Sequence, residues 1–377
     1  MKFISKSLIA LVACLSVWAC EADSSSEYQG TGGMEGDGSR TIMTDGDLTD
    51  GGAETDGGAG GMAGMAGMGG SGGMMGGMEQ PIEERCPDAQ AGTYLLVIFP
   101  DRVDAYRQRE FGATFFCKFL DLSGNGITRA TGMAINRDND TIFVVQPEDG
   151  KGGVYAFNVN GSFEGKVTAN VNLDGVDGIW NSFGNDYIVW SRANQNLYRL
   201  TEEGRFGGIF SPPVARGSLF PNVTDMVFLD QESLLMTYGD RAPKLFKAPF
   251  APDFPDDEVG PANAVVGVDT EEGTKILMTA QIGGEGNAYG VALYKAAESG
   301  RVAPERESII ISGGDGDFVD GIDLLPLPTG LLILDSDLAG TAKITSFNAQ
   351  GELQNSIPLQ GGGSPSMFTK ARIFPDF

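Results

Sequence analysis

One pattern recurs six times after residue 100 of this 377-residue chain, and it constrains the fold more than any other feature. A hydrophobic residue is followed by an aromatic or aliphatic one, then by polar positions, and a turn closes the unit seven residues after its start. The instances are Val103 to Glu110, Val154 to Gly161, Leu197 to Gly204, Leu245 to Pro252, Leu293 to Gly300 and Ile344 to Gly351. Their ends lie 51, 43, 48, 48 and 51 residues apart, the period of a propeller blade. Ahead of each unit is a short apolar run: Tyr94 to Phe99, Thr141 to Val145, Tyr187 to Trp190, Leu234 to Tyr238, Ile276 to Thr279 and Leu331 to Leu334. Continuous rather than alternating apolar character predicts strands buried on both faces. An innermost strand is expected before each run, beginning at Thr131, Asp177, Thr224 and Asp320, with a weaker member at Ala264.

The expected fold is therefore all-β: a six-bladed β-propeller with four-stranded blades. The first repeat has no room for an innermost strand, because Cys86 lies only a few residues before Tyr94. The last segment, Thr369 to Phe374, has the character to supply it. Closing the ring in this way shields sheet edges that would otherwise pair with other chains. A pair of β-sandwiches would explain the strand density but not the period.

The chain divides into three parts. Residues 1–19 read as a signal peptide, with Lys2 and Lys6 ahead of an apolar run too short to span a bilayer as a helix. Ala19 before Cys20 resembles the lipobox of bacterial lipoproteins, which implies acylation of the Cys20 thiol. Leu11 to Cys14 is a second match that would leave a hydrophobic stub, so Cys20 is the expected site. Glu21 follows it where inner-membrane retention is associated with Asp, so the expected location is the outer membrane of the cell envelope.

Residues 20–85 carry almost no large apolar side chain after the anchor and cannot offset the entropy of ordering, so they are expected to form a disordered linker. A Gly-rich coil of this length has a reach of ~40 to 50 Å. Met62, Met65 and Met68 sit in it at a spacing that suits Cu(I), although a low-complexity spacer has the same composition. Residues 86–377 form the propeller, expected to be monomeric. Its only two cysteines, Cys86 and Cys117, are expected to form a disulfide in an oxidising compartment.

The formal net charge is -25, with 13 acidic residues against two arginines in residues 21–85 alone. Such a surface repels nucleic acid and favours cationic partners. The absence of histidine removes histidine-based triads, histidine general bases and histidine metal sites.

In period and blade pattern, residues 86–377 resemble the NHL and SMP-30-like six-bladed propellers. The resemblance implies a funnel with a central channel, and in enzymatic relatives a divalent cation there held by Glu, Asn and Asp. The corresponding positions here are Thr131, Asp177, Thr224 and Asp320, without Glu or Asn. The propeller geometry is expected to bring Asp177, Asp225 and Asp320 to the channel mouth with Thr131 and Thr224. The surrounding loops should add Glu148, Asp149, Asp240, Glu285, Asp335 and Asp337. These carboxylates suit Ca²⁺, a small cationic ligand, or local capping of turns. Two functions follow: an envelope lipoprotein presenting the propeller as a scaffold for a protein, glycan or small ligand, or a Ca²⁺-dependent lactonase or esterase.

Overall fold

The computed structural model describes residues 81–377, apart from 110–111, 137–140, 149–150, 169–172, 174, 183–185, 211–221, 231–232, 248–258, 271–272, 283–288, 296–304, 312–320, 337–340 and 375–377. Cys20, Met62, Met65, Met68, Asp149, Glu285, Asp320 and Asp337 lie outside the described residues.

The described strands form six antiparallel sheets, and the chain is a six-bladed β-propeller. Blade 1 consists of β1 (Gly92–Phe99), β2 (Arg102–Arg109) and β3 (Gly112–Asp121). Blade 2 holds β4 (Gly132–Asn136), β5 (Thr141–Gln146), β6 (Gly153–Asn158) and β7 (Phe163–Lys166), and blade 3 holds β8 (Val176–Asn181), β9 (Tyr187–Ser191), β10 (Asn196–Leu200) and β11 (Phe206–Phe210). Blade 4 has β12 (Val223–Phe228), β13 (Ser233–Tyr238) and β14 (Arg241–Lys247), three strands among the described residues. Blade 5 has β15 (Val259–Thr270), β16 (Gly273–Ile282), β17 (Tyr289–Lys295) and β18 (Glu305–Ile311). Blade 6 has β19 (Asp323–Leu327), β20 (Gly330–Ser336), β21 (Ala342–Asn348) and β22 (Leu353–Pro358).

The last strand, β23 (Met367–Ile373), pairs antiparallel with β1 and completes blade 1 from the C-terminus. Each innermost strand touches the next around the ring, β23 to β4, β8, β12, β15 and β19, and β19 returns to β23. Among the described residues, each expected apolar run is a strand and each blade has an innermost strand, while the fourth strand expected in blade 4 is not among them. The innermost strand of blade 6 begins at Asp323, two residues after Gly321 at φ +53°, whereas the expected start at Asp320 lies outside the described residues.

The apolar runs are continuous for a physical reason. Buried side chains fall into six clusters, each filling the space between two neighbouring blades. In β1, Leu96 and Ile98 pack toward blade 2, while Leu95, Val97 and Phe99 pack toward blade 6. Alternate residues point to opposite faces, and here both faces are core.

The recurrent glycine closes the hairpin between the third and fourth strands. Gly161, Gly204 and Gly351 have φ of +85°, +75° and +77°, a region L side chains rarely adopt. Their amides donate to Asn158, Thr201 and Asn348 carbonyls at 2.9, 2.8 and 3.0 Å. Asn158 and Asn348 make the same second contact: the Oδ1 of each accepts amides two and four residues later.

Cys86 and Cys117 are bonded, with Cα atoms 5.2 Å apart. The bond ties the short helix Ile82–Arg85 to β3, and Arg85 reinforces it by donating to the Phe119 carbonyl at 2.8 Å.

Candidate functional site

The innermost strands begin at one end of the central channel, so their first residues converge there. Thr131, Gly132, Asp177, Gly178, Ile179, Trp180, Val223, Thr224, Asp225, Ile322, Asp323, Ser366 and Met367 line a cavity of about 430 Å³, counted out to its mouth. Blades 1, 2, 3, 4 and 6 all contribute. Four of the expected residues, Thr131, Asp177, Thr224 and Asp225, are brought together.

Asp225 spans two blade joints. Its Oδ1 accepts from Trp180 Nε1 of blade 3 at 2.7 Å and from the Met226 amide at 2.8 Å. Its Oδ2 accepts from the Val265 amide of blade 5 at 2.8 Å. Asp323 repeats the arrangement: Oδ1 accepts from the Leu324 amide at 2.8 Å and Oδ2 from the Phe368 amide of β23 at 2.9 Å. Two aspartates at equivalent strand positions thus each fasten their blade to the next.

Both carboxyls are only partly open to the cavity, and loss of solvation dominates their ionisation. Burial pushes the Asp225 carboxyl up to about 7 against the pull of its three N–H donors. Asp323 lies well above the usual carboxylate range, raised by burial and then by the charge of Asp225.

Of the other lining side chains, Asp177 and Thr224 have partners, whereas Thr131 Oγ1 and Ser366 Oγ are buried without one among the described residues. Asp177 forms an ion pair with Arg192 (Nε to Oδ2, 2.5 Å). Burial raises its carboxyl while Arg192 and Arg129 oppose the rise. Thr224 Oγ1 lies 3.0 Å from Thr237 Oγ1 and donates to the Ala262 carbonyl at 3.1 Å. The Thr131 amide donates to the Val145 carbonyl at 3.1 Å. The Met133 amide donates to Met367 Sδ at 3.0 Å, joining blade 2 to the closing strand.

The surrounding acids expected at the mouth are held locally. Glu148 accepts from Thr128 and Lys151, and Asp240 from Asn222 and Arg241. Asp335 is buried, accepts from the Gly321 amide at 3.2 Å and forms an ion pair with Lys343 at 3.4 Å. Among the described residues no three Cys, Asp or Glu side chains group as a metal site would require.

Asp323 and Trp180 are the important residues that the sequence reading passed over. A signal for Asp323 existed: Asp225-Met226-Val227 and Asp323-Leu324-Leu325 share an aspartate entering an apolar inner strand. Trp180 gave none, since nothing in a strand sequence says that an indole reaches the next blade.

No family model matches the chain, and no curated protein is detectably similar in sequence. Solved structures do share its architecture. A chain in the crystal structure of the nidogen/laminin complex superposes with a TM-score of 0.56 at 12% identity, covering 74% of this chain and 98% of that one. A protein of unknown function from Bacteroides caccae gives 0.50 at 11% identity, covering 74% and 99%. At such identities the likeness concerns the fold alone.

Proposed function

We propose that the chain is an envelope lipoprotein, acylated at Cys20, whose propeller is a scaffold that binds a partner at the channel face rather than a catalyst. The observation that carries this reading is the use of the cavity's carboxylates. Asp225 and Asp323 each give one oxygen to a main-chain amide of the next blade and the other to the following amide of their own strand, where the Trp180 indole of blade 3 joins at Asp225, so they hold the ring rather than offer free ligands. A Ca²⁺-dependent lactonase of the SMP-30-like kind needs several unoccupied oxygens converging on the ion, a demand these two side chains do not meet.

What the face offers outward is recognition chemistry. Arg192 is 68% exposed beside Asp177, and Arg129 stands exposed nearby on the loop before β4. The structural likeness to a chain solved within a protein complex is consistent with a protein partner. An acylated N-terminus would hold that face within a linker's length of the membrane, since each buried methylene contributes ~0.8 kcal/mol.

The test is site-specific photo-crosslinking of the full chain in its own cells. A photoreactive residue at Arg192 should give a discrete adduct in the membrane fraction, one at the exposed Gln354 on β22 should not, and Cys20→Ala should abolish the adduct and release the protein from membranes. Absence of adducts at Arg192, or equal labelling from both positions, would discard the reading.

A further inference from the structure

We propose that Asp225 and Asp323 hold a single proton between them at neutral pH, carried by Asp323, and that this proton keeps the seam between β19 and the closing strand β23 shut. The two carboxyls line one cavity from equivalent positions on β12 and β19, but their donors differ in number. Asp225 receives three N–H groups and Asp323 two. Hydrogen bonds from N–H groups favour the ionised form, so Asp225 is the better place for the negative charge. The remaining proton then belongs on Asp323, which stands in the field of Asp225.

The surroundings do not neutralise a second charge. Asp177 on β8 is the third acid on the cavity wall, and it is matched by Arg192 with Arg129 nearby. Tyr238 on β13 lies opposite Val223, and Arg241 stands over its ring. β15 carries no titratable residue from Val259 to Val268, the part that meets Asp225. On β20, Asp335 is paired with Lys343. β23 contributes Lys370, two residues beyond Phe368 on the same strand face, and it is the nearest cation along that seam by strand order.

Ionising Asp323 as well would place two anions on one poorly solvated cavity. Asp323 makes its hydrogen bond across a blade joint at this seam, where Oδ2 accepts from the Phe368 amide of the last strand, so opening the seam is the movement that would bring water to a second anion. An acid whose folded-state pKa is raised stabilises the fold below its unfolded value and loses that contribution as pH rises through the folded value. The seam is therefore firm in acid and loosens as pH climbs from the ordinary carboxylate range past neutrality.

Asp104, pushed up to about 6 by burial despite Arg102, and Asp177 shift global stability in the same direction. A local measurement is needed to separate them. Hydrogen exchange of the full chain, followed by NMR from pH 5 to 9 and corrected for intrinsic rates, supplies it.

The Phe368 amide should lose protection by up to about tenfold per pH unit from the ordinary carboxylate range to the pH at which Asp323 ionises in the folded state, and level off above it, while the Leu197 amide in blade 3 should lose less. Asp323→Asn should abolish the excess. Asp225→Asn should move the Asp323 titration, read from its carboxyl ¹³C shift, toward lower pH. If Asp323→Asn does not fold, the wild-type ¹³C titration decides. A step at or above neutrality supports the proposal. Titration of Asp323 in the ordinary carboxylate range, or equal pH dependence of Phe368 and Leu197, overturns it.

Discussion

At the scale of single residues, the channel is organised by side chains that reach across blade boundaries. Trp180 does so only because Gly178 makes space: a Cβ at Gly178 would lie 2.1 Å from Trp180 Cη2. Gly178→Ala must therefore move the indole off Asp225 or shift β8. The expected loss of stability is about 1 to 3 kcal/mol, typical of overpacking, with a change in tryptophan emission. Urea denaturation checks both, and an unchanged midpoint with unchanged emission would show that the ring has room to move. The identity of such residues was partly legible. The aspartates stood out as acids entering apolar strands, but whether their oxygens face water, an ion or the next blade's amides depends on a neighbour some 40 residues away.

At the scale of elements, the most readable feature was the central strand of each blade. Its apolar run has no polar alternation because both faces meet another blade, and every expected run became a strand. The hairpin glycines were legible for the same kind of reason, since a left-handed turn selects a residue without a Cβ. Strand starts were less legible: the strand expected from Asp320 begins at Asp323, after Gly321 in the left-handed region, a local conformation that hydrophobicity does not encode. The disulfide acts on this scale too, holding the helix Ile82–Arg85 against β3 across a separation of 31 residues. Replacing both Cys86 and Cys117 by Ser should cost about 3 to 4 kcal/mol on the chain-entropy account. Thermal unfolding with and without reductant checks it; a wild-type midpoint insensitive to full reduction would assign the bond no stabilising role.

At the scale of the whole molecule, stability is a property of the closed ring, because every core cluster lies between two blades. Removing β23 strips β1 of its inner neighbour and opens the joints to both β4 and β19. A chain ended at Gly363 should lose cooperative unfolding and aggregate through the exposed edge of β1, as light scattering and calorimetry would report. A monomeric, cooperatively melting truncation would show that five complete blades suffice.

The sequence by itself determined the period, the number of blades, the strand that closes the ring and the cysteine pair. Those depend on local hydrophobic pattern, turn chemistry and residue counts, which do not need the fold to be read. Only the tertiary structure decided that Asp225 and Asp323 share one cavity and bind the amides of adjoining blades. That outcome depends on which strands become neighbours around the ring and how deeply their first residues are desolvated, and neither quantity exists until the ring has closed.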